Sequence, residues 1–227
     1  MKRIFFSLAL LLAVTTLAAQ TNMTAREAAV KIADRILAST TYEFKNTKTG
    51  ETYKSVKKLP LDMNVKVACK YNNWHYTNGV TNMALMELGD KLADKKYEKY
   101  VLKNMNFVFN EGNLEFFRKQ YDEAFKQDGW NAVRKLSWHM IFRGKRLDDN
   151  GPMGASLIEL QMRYPNQSFL DYVNETAEHL NYGEPRLVDG TIARIWPHVN
   201  TIWADDAFMA ISFLARMGKM TGDETVS

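Results

Sequence analysis

Two distant stretches of the chain carry the same short text. Asn78-Gly79 precedes Ala84-Leu85-Met86-Glu87-Leu88, and Asn150-Gly151 precedes Ser156-Leu157-Ile158-Glu159-Leu160 at the same offset. A third, more diverged copy starts at Asp205-Asp206 and runs through Ser212-Phe213-Leu214. An internal repeat constrains a fold strongly, because each copy must bury its apolar surface against its neighbours in the same way. In every copy a polar turn feeds a helix that is small or apolar around much of its circumference, and such a helix is buried among other helices. Between the copies lie amphipathic helices, such as 168–181, where Phe169, Tyr172, Val173, Thr176 and Leu180 recur at helical spacing. Buried inner helices alternating with amphipathic outer ones predict an all-α fold, an α/α-toroid. Its inner helices run the same way, so that Thr77, Asp149 and Asp205 take equivalent places on one rim. A stack of helical hairpins would give much the same pattern.

The remaining elements fit that class. Thr24-Ala25-Arg26-Glu27 is a capping box, followed by Ala29, Ile32, Ala33, Ile36 and Leu37 at helical spacing. Residues 41–60 read as a loop or short ribbon, and further helices are predicted over 79–109, 112–126, 130–141, 152–164 and 205–219. No convincing run of strands is predicted.

The first twenty residues are read separately. Met1-Lys2-Arg3 is a positive start, Ile4 to Leu17 is an apolar run broken by Ser7, Thr15 and Thr16, and Ala18-Ala19 follow. That order is a secretory signal peptide, so the chain is expected to be exported to the periplasm or secreted. The run is short of the ~20 apolar residues of a membrane span, and no other membrane association is expected. Residues 21–227 then form one domain. Cys69 is the only cysteine, which excludes an internal disulfide and a cysteine-rich zinc site. The net charge of +4 comes from mixed acidic and basic residues without a long basic stripe, so nucleic acid is not an expected partner.

Three clusters could carry chemistry. Asp148-Asp149 stands before Asn150-Gly151-Pro152, and Asp205-Asp206 follows Trp203-Ala204. Asp is a favoured N-cap and Pro suits the first helical position, so both pairs can be read as helix starts. The functional alternative has carboxylates from two helices converging on the shared rim. A general acid among them must hold its proton near neutral pH, which needs burial or a second carboxylate close by. Trp74-His75-Tyr76-Thr77-Asn78-Gly79 is either a sugar-stacking platform or rim packing. His139 and His198 are isolated. No His-x-x-x-His pair, Gly-x-Ser-x-Gly elbow or phosphate-binding glycine loop is present, and no metal or other cofactor is expected.

These residues carry a resemblance. Trp203-Ala204-Asp205-Asp206-Ala207-Phe208-Met209-Ala210-Ile211-Ser212-Phe213-Leu214-Ala215-Arg216 resembles the signature of unsaturated glycosyl hydrolases in glycoside hydrolase families 88 and 105. Leu147-Asp148-Asp149-Asn150-Gly151-Pro152-Met153-Gly154-Ala155 resembles the other acidic loop of those families, and residues 74–79 resemble their N-terminal aromatic segment. The unsaturated rhamnogalacturonyl hydrolase branch is the most similar. The resemblance implies a six-hairpin α/α-barrel, of which 21–227 would be the N-terminal part. It also implies release of an unsaturated uronic acid from lyase-generated oligosaccharides by hydration of the carbon 4–carbon 5 double bond. Asp205 would be the acid/base and Asp149 its companion. Trp74, Tyr76 and Asn78 would hold the sugar, with Trp203 and His198 as neighbours, while Asp206 would point elsewhere and matter less. Two other classes stay open: an ordinary α/α-barrel glycosidase acting on an intact bond, and a non-catalytic glycan-binding or degenerate fragment.

Overall fold

The computed structural model describes residues 23–143, 147–195 and 197–223, without the side chain of Asp149; the predicted signal peptide lies outside these residues. The chain divides into two compact units, residues 1–35 and 36–227. Helix α1 (Ala25–Ser39) begins in the first. It starts as its capping box requires: Glu27 N–H donates to Thr24 Oγ1 at 3.2 Å, and Thr24 N–H donates to Glu27 Oε2 at 2.9 Å.

Among its described residues the second unit is mainly helical, with one small sheet and two isolated β-bridges. Strands β1 (Phe44–Asn46), β2 (Thr52–Tyr53) and β3 (Val65–Val67) form an antiparallel sheet in the order β2-β1-β3, with Phe44 opposite both Tyr53 and Val67. The stretch 41–60, read as a loop or short ribbon, contains β1 and β2, and β3 lies just beyond it. Runs of two or three residues are too short for alternation to show in a sequence, although Phe44, Asn46, Val65 and Val67 all lie on the buried face of the sheet.

Six more α-helices come before the last: α2 (Tyr76–Leu92), α3 (Lys95–Val108), α4 (Glu111–Val133), α5 (Met140–Arg143), α6 (Leu147–Arg163) and α7 (Gln167–Glu178). Helix α7 runs on into a π-helical turn, His179–Gly183, and α8 (Ala204–Thr221) closes the series. The stretch predicted as one helix over 79–109 is two. Ala93 turns left-handed (φ 53°), and Asp94 then caps α3 by accepting from Lys96 N–H at 3.0 Å. The predicted helix 130–141 is also corrected: α4 kinks at Asp128 and Gly129 and stops at Val133, and Trp138 takes a positive φ of 62° before the short α5. Helix α6 starts before Pro152, not at it. The ring therefore lies inside the helix, where it leaves the carbonyl of Asp148 without its usual intrahelical donor.

The repeat is explained by how α2, α6 and α8 pack. A side chain at Gly79 would strike the backbone of Pro152 and Met153 at 2.5 Å, and one at Gly151 would strike the carbonyl oxygen of Met209 at 2.6 Å. Further along, Gly154 lies against the ring of Phe213. The partners rise together along both helices, so α6 and α8 are parallel. Asp90 meeting Arg163 at the far end shows the same for α2 and α6. The repeated glycine is thus the point where one inner helix lets the next come into backbone contact. Helix α6 lies between the other two, with Met153, Ala155, Leu157, Ile158 and Leu160 all buried. Helices α3 and α7 take the outer positions, giving the inner–outer alternation of an α/α-toroid.

At their C-terminal ends the same helices are joined by charge. Arg163 donates to Asp90 Oδ2 on α2 at 2.8 Å and to Glu98 Oε2 on α3 at 2.5 Å. Glu159 on α6 accepts from Arg216 on α8 at 3.0 Å. Burial works to raise the Glu98 carboxyl, but donation from Tyr164, Arg163 and Lys95 outweighs it and holds the group at about 2.

Candidate active site

The N-terminal ends of α2, α6 and α8 meet on one rim, as the glycine contacts require. Helix α2 starts at an extended His75 whose Nδ1 accepts from Thr77 N–H at 3.3 Å, which places the ring hydrogen on Nε2. Burial pushes the His75 imidazole down, and the Asp148 carboxylate partly opposes that shift.

The segment between Glu184 and Trp203 folds over this rim as two small ribbons, with Arg186 bridging Ile192 and Arg194 bridging Thr201. Arg194 N–H donates to Thr201 O at 2.9 Å, and the turn beyond is closed by Asn200 at a positive φ of 60°. This ribbon delivers the guanidinium of Arg194 to the start of α8. There Nη2 donates to Asp206 Oδ1 at 2.6 Å, and Nε donates to the other oxygen of the same carboxylate. Asp148 Oδ2 on α6 lies 3.7 Å away, and the face of Trp203 is stacked 4.2 Å below the guanidinium carbon. The Asp206 bond raises the Arg194 pKa further, helped by the charges of Asp148 and Asp205. One cation is therefore held between two carboxylates from two inner helices. A cavity of about 370 Å³ opens beside them, lined by Asp148, Arg194 and Asp206 together with His179 and Glu184. A second cavity, also about 370 Å³, adjoins it across His179 and Gly183. Gly183 is required there, since a Cβ would lie 2.3 Å from His179 Nδ1. His179 in turn pairs with Glu184 at 2.9 Å.

The predicted site residues divide. Asp205 stands exposed in the first turn of α8, and Asp149 lies in the first turn of α6 with its side chain outside the described residues. Asp206 does not point elsewhere: it is 6% exposed and spent on Arg194. It does not cap α8 either, whose start at Trp203 has no side-chain cap. Trp203 is on the rim, stacked on Arg194. Tyr76 is the first residue of α2, partly exposed, with its ring 4.5 Å from His75. His198 is exposed on the ribbon, where its carbonyl accepts from Thr201.

Trp74 and Asn78 need correction as sugar contacts. Trp74 is completely buried, packed on Phe109, Trp138 and Tyr172, so no ring face is open to a ligand. Asn78 uses both amide hydrogens on the carbonyls of Lys70 and Asn73, fixing the loop that leads into α2. The aromatic segment is thus partly rim packing. Arg194 and His179 were not singled out by the sequence, because a lone Arg in a Gly-Thr-Ile-Ala-Arg loop has no pattern to mark it.

Among the described residues, no group of three or more His, Cys, Asp or Glu is arranged to hold a metal ion, and no helix is long and apolar enough to cross a membrane. The parallel inner helices with their outer partners have the architecture of an α/α-toroid, with acidic residues on one rim. The family model for Glycosyl Hydrolase Family 88 matches residues 56–227, and the chain belongs to that family. Its activity is in general terms that of an unsaturated glycosyl hydrolase, acting on an oligosaccharide. No curated protein matches the chain.

Proposed function

We propose that the protein removes the unsaturated uronic acid from lyase-generated oligosaccharides of the rhamnogalacturonan or pectin type, by hydrating the carbon 4–carbon 5 double bond. The observation that carries this reading is the meeting of Asp148 and Asp206 at Arg194 on the wall of a cavity, with Asp205 exposed beside Asp206 in the first turn of α8. The substrate is a vinyl ether. A proton delivered to carbon 4 produces an oxocarbenium ion, water adds to carbon 5, and the hemiketal collapses to free the neighbouring sugar.

Asp205 delivers the proton and then accepts one from the attacking water. Of the two acids on α8 it is the one available, because both oxygens of Asp206 accept from Arg194. Asp149, one helix away in the first turn of α6, is its companion carboxylate. Trp203 and Tyr76 border the site, with His198 on the ribbon above. The apolar run before residue 20 supports export, so the reaction would take place outside the cytoplasm.

Asp205→Asn keeps the size of the side chain but has no carboxyl proton to give. It is expected to lower turnover of an unsaturated disaccharide by at least ~100-fold, the lower end of general acid–base assistance, while binding persists. Loss of ultraviolet absorbance of the double bond follows the reaction. In heavy water the released keto-uronate should carry deuterium on carbon 4. Near-normal turnover in the variant, or product without the deuterium, would instead favour direct cleavage by an ordinary glycosidase. Asp206→Asn is not a neutral control, since it breaks the clamp on Arg194.

A further inference from the structure

The small sheet has no part in the chemistry above, and none of its residues lines either cavity. Its buried face is set by Phe44, which packs on Phe107, Phe116 and Phe117 of α3 and α4. Because strand side chains alternate, Lys45 and Lys66 lie on the opposite, outer face. The register sets the two directly across from each other on neighbouring strands. Like charges in that position destabilise a sheet, so the fold itself gains nothing from placing them there.

The surroundings add to that charge. One residue past β2 the same alternation brings Lys54 to the outer face, and Lys57 and Lys58 follow in a short 3₁₀ helix, Val56–Lys58. Lys66 is half-buried and the other four are exposed. None of the five forms an ion pair among the described residues, whereas Lys91, Lys95, Lys119 and Lys126 on the helices each have a carboxylate partner. Two nearby acids are engaged elsewhere: Glu51 accepts from Tyr53 Oη at 2.9 Å, and Asp62 accepts from Asn64 N–H at 2.8 Å. That leaves the exposed Glu43 against five lysines. Along the chain the five are spaced over residues 45–66 and look like scattered charge; strand pairing gathers them.

We propose that this lysine face is a docking surface for a stretch of acidic polysaccharide, a polyuronate chain. The choice of polymer rests on the proposed reaction, whose oligosaccharides are cut from such a chain. A polyuronate carries one carboxylate per sugar, so a short stretch neutralises several lysines at once, the opposed pair included. Each contact between solvated charges is weak, and the attraction comes from their sum. Docking through the sheet keeps the enzyme beside the polymer from which lyase products are released, and it leaves the acidic rim free.

The test is calorimetry and affinity electrophoresis of the protein with polygalacturonate, with dextran as the neutral control. Polygalacturonate should bind at low salt and dextran should not. Binding should disappear in about 1 M salt, where charges are screened beyond ~3 Å. Lys45→Ser/Lys66→Ser should weaken binding at least about tenfold, the worth of two charge contacts in water. The same variant should unfold at no lower urea concentration than the wild type, because it relieves the opposed pair; this separates lost docking from lost folding. Its turnover of an unsaturated disaccharide should match that of the wild type. No binding to polygalacturonate, binding that the double variant leaves unchanged, or tighter binding to phosphatidylglycerol vesicles or duplex DNA overturns the docking surface. If neither protein consumes the disaccharide, it is the hydration reading that fails, and the binding comparison still decides the surface.

Discussion

Arg163 and Arg194 sit at opposite ends of the same layer of inner helices, and each is surrounded by carboxylates. Around Arg163 the geometry is closed: Asp90, Glu98 and Glu159 approach from three helices, Tyr164 donates to Glu98, and neither cavity reaches the cluster. Around Arg194 it is open. The guanidinium comes in on a ribbon instead of a helix, holds one buried carboxylate tightly and a second at 3.7 Å, and forms a cavity wall. The same chemical groups thus fasten helices at one end and border a ligand space at the other. What separates the two uses is whether the arginine belongs to the packed layer or is brought to it by a loop.

The contrast is broken most severely by removing the closed arginine. Arg163→Met leaves the buried Glu98 with only Tyr164 and Lys95 as donors, and stability should fall by about 1.5–3 kcal/mol in urea denaturation, the worth of a hydrogen bond to a charged group. Turnover per folded molecule should change little; a large loss of kcat at modest loss of stability would show that the two ends are not separate in function.

Acid probes the same end more gently. The Glu98 carboxyl is held at about 2 in the folded chain, against about 4.3 for a free glutamate. A depressed carboxyl stabilises the fold above the unfolded value and loses that contribution as pH falls from about 4 toward 2. Glu98→Gln should flatten the stability profile across that window. A profile as steep as that of the wild type would place the acid-sensitive group elsewhere.

The smallest effect in this series comes from Arg194→Lys, which keeps the charge and loses the two-pronged donation to Asp206. Stability should drop by no more than about 1.5 kcal/mol, while kcat/KM should drop about tenfold, a separate loss of transition-state stabilisation of similar size. A variant with unchanged kinetics would reduce the open arginine to a second structural tie.

Much of the helical layer was legible in the sequence, because Asn78-Gly79 and Asn150-Gly151 state a packing rule twice: a glycine where the next helix crosses. The capping box at Thr24 was legible for the same local reason. The break at Ala93 was not, since only tertiary packing makes an alanine adopt a left-handed conformation in a strongly helical run. At the rim, the aspartates announced themselves as pairs, yet a sequence cannot say which of two adjacent acids an arginine twelve residues earlier in the ribbon will take. Trp74 misled in the opposite direction. A Trp-His-Tyr cluster reads as a binding surface until the burial of its first ring is seen.

One consequence of parallel inner helices remains. Antiparallel neighbours cancel one another's peptide dipoles, but α2, α6 and α8 add theirs, each presenting roughly half a positive charge at its start and half a negative charge at its end. The side chains are distributed to match. Asp148, Asp205 and Asp206 occupy first turns, while Lys91, Arg163 and Lys219 occupy last turns. The layer therefore behaves as a polarised slab whose formal charges oppose the backbone field at both faces. An anionic sugar arriving at the rim meets the backbone's positive face through a screen of aspartates, and neutralising any one of them strengthens the pull on that anion.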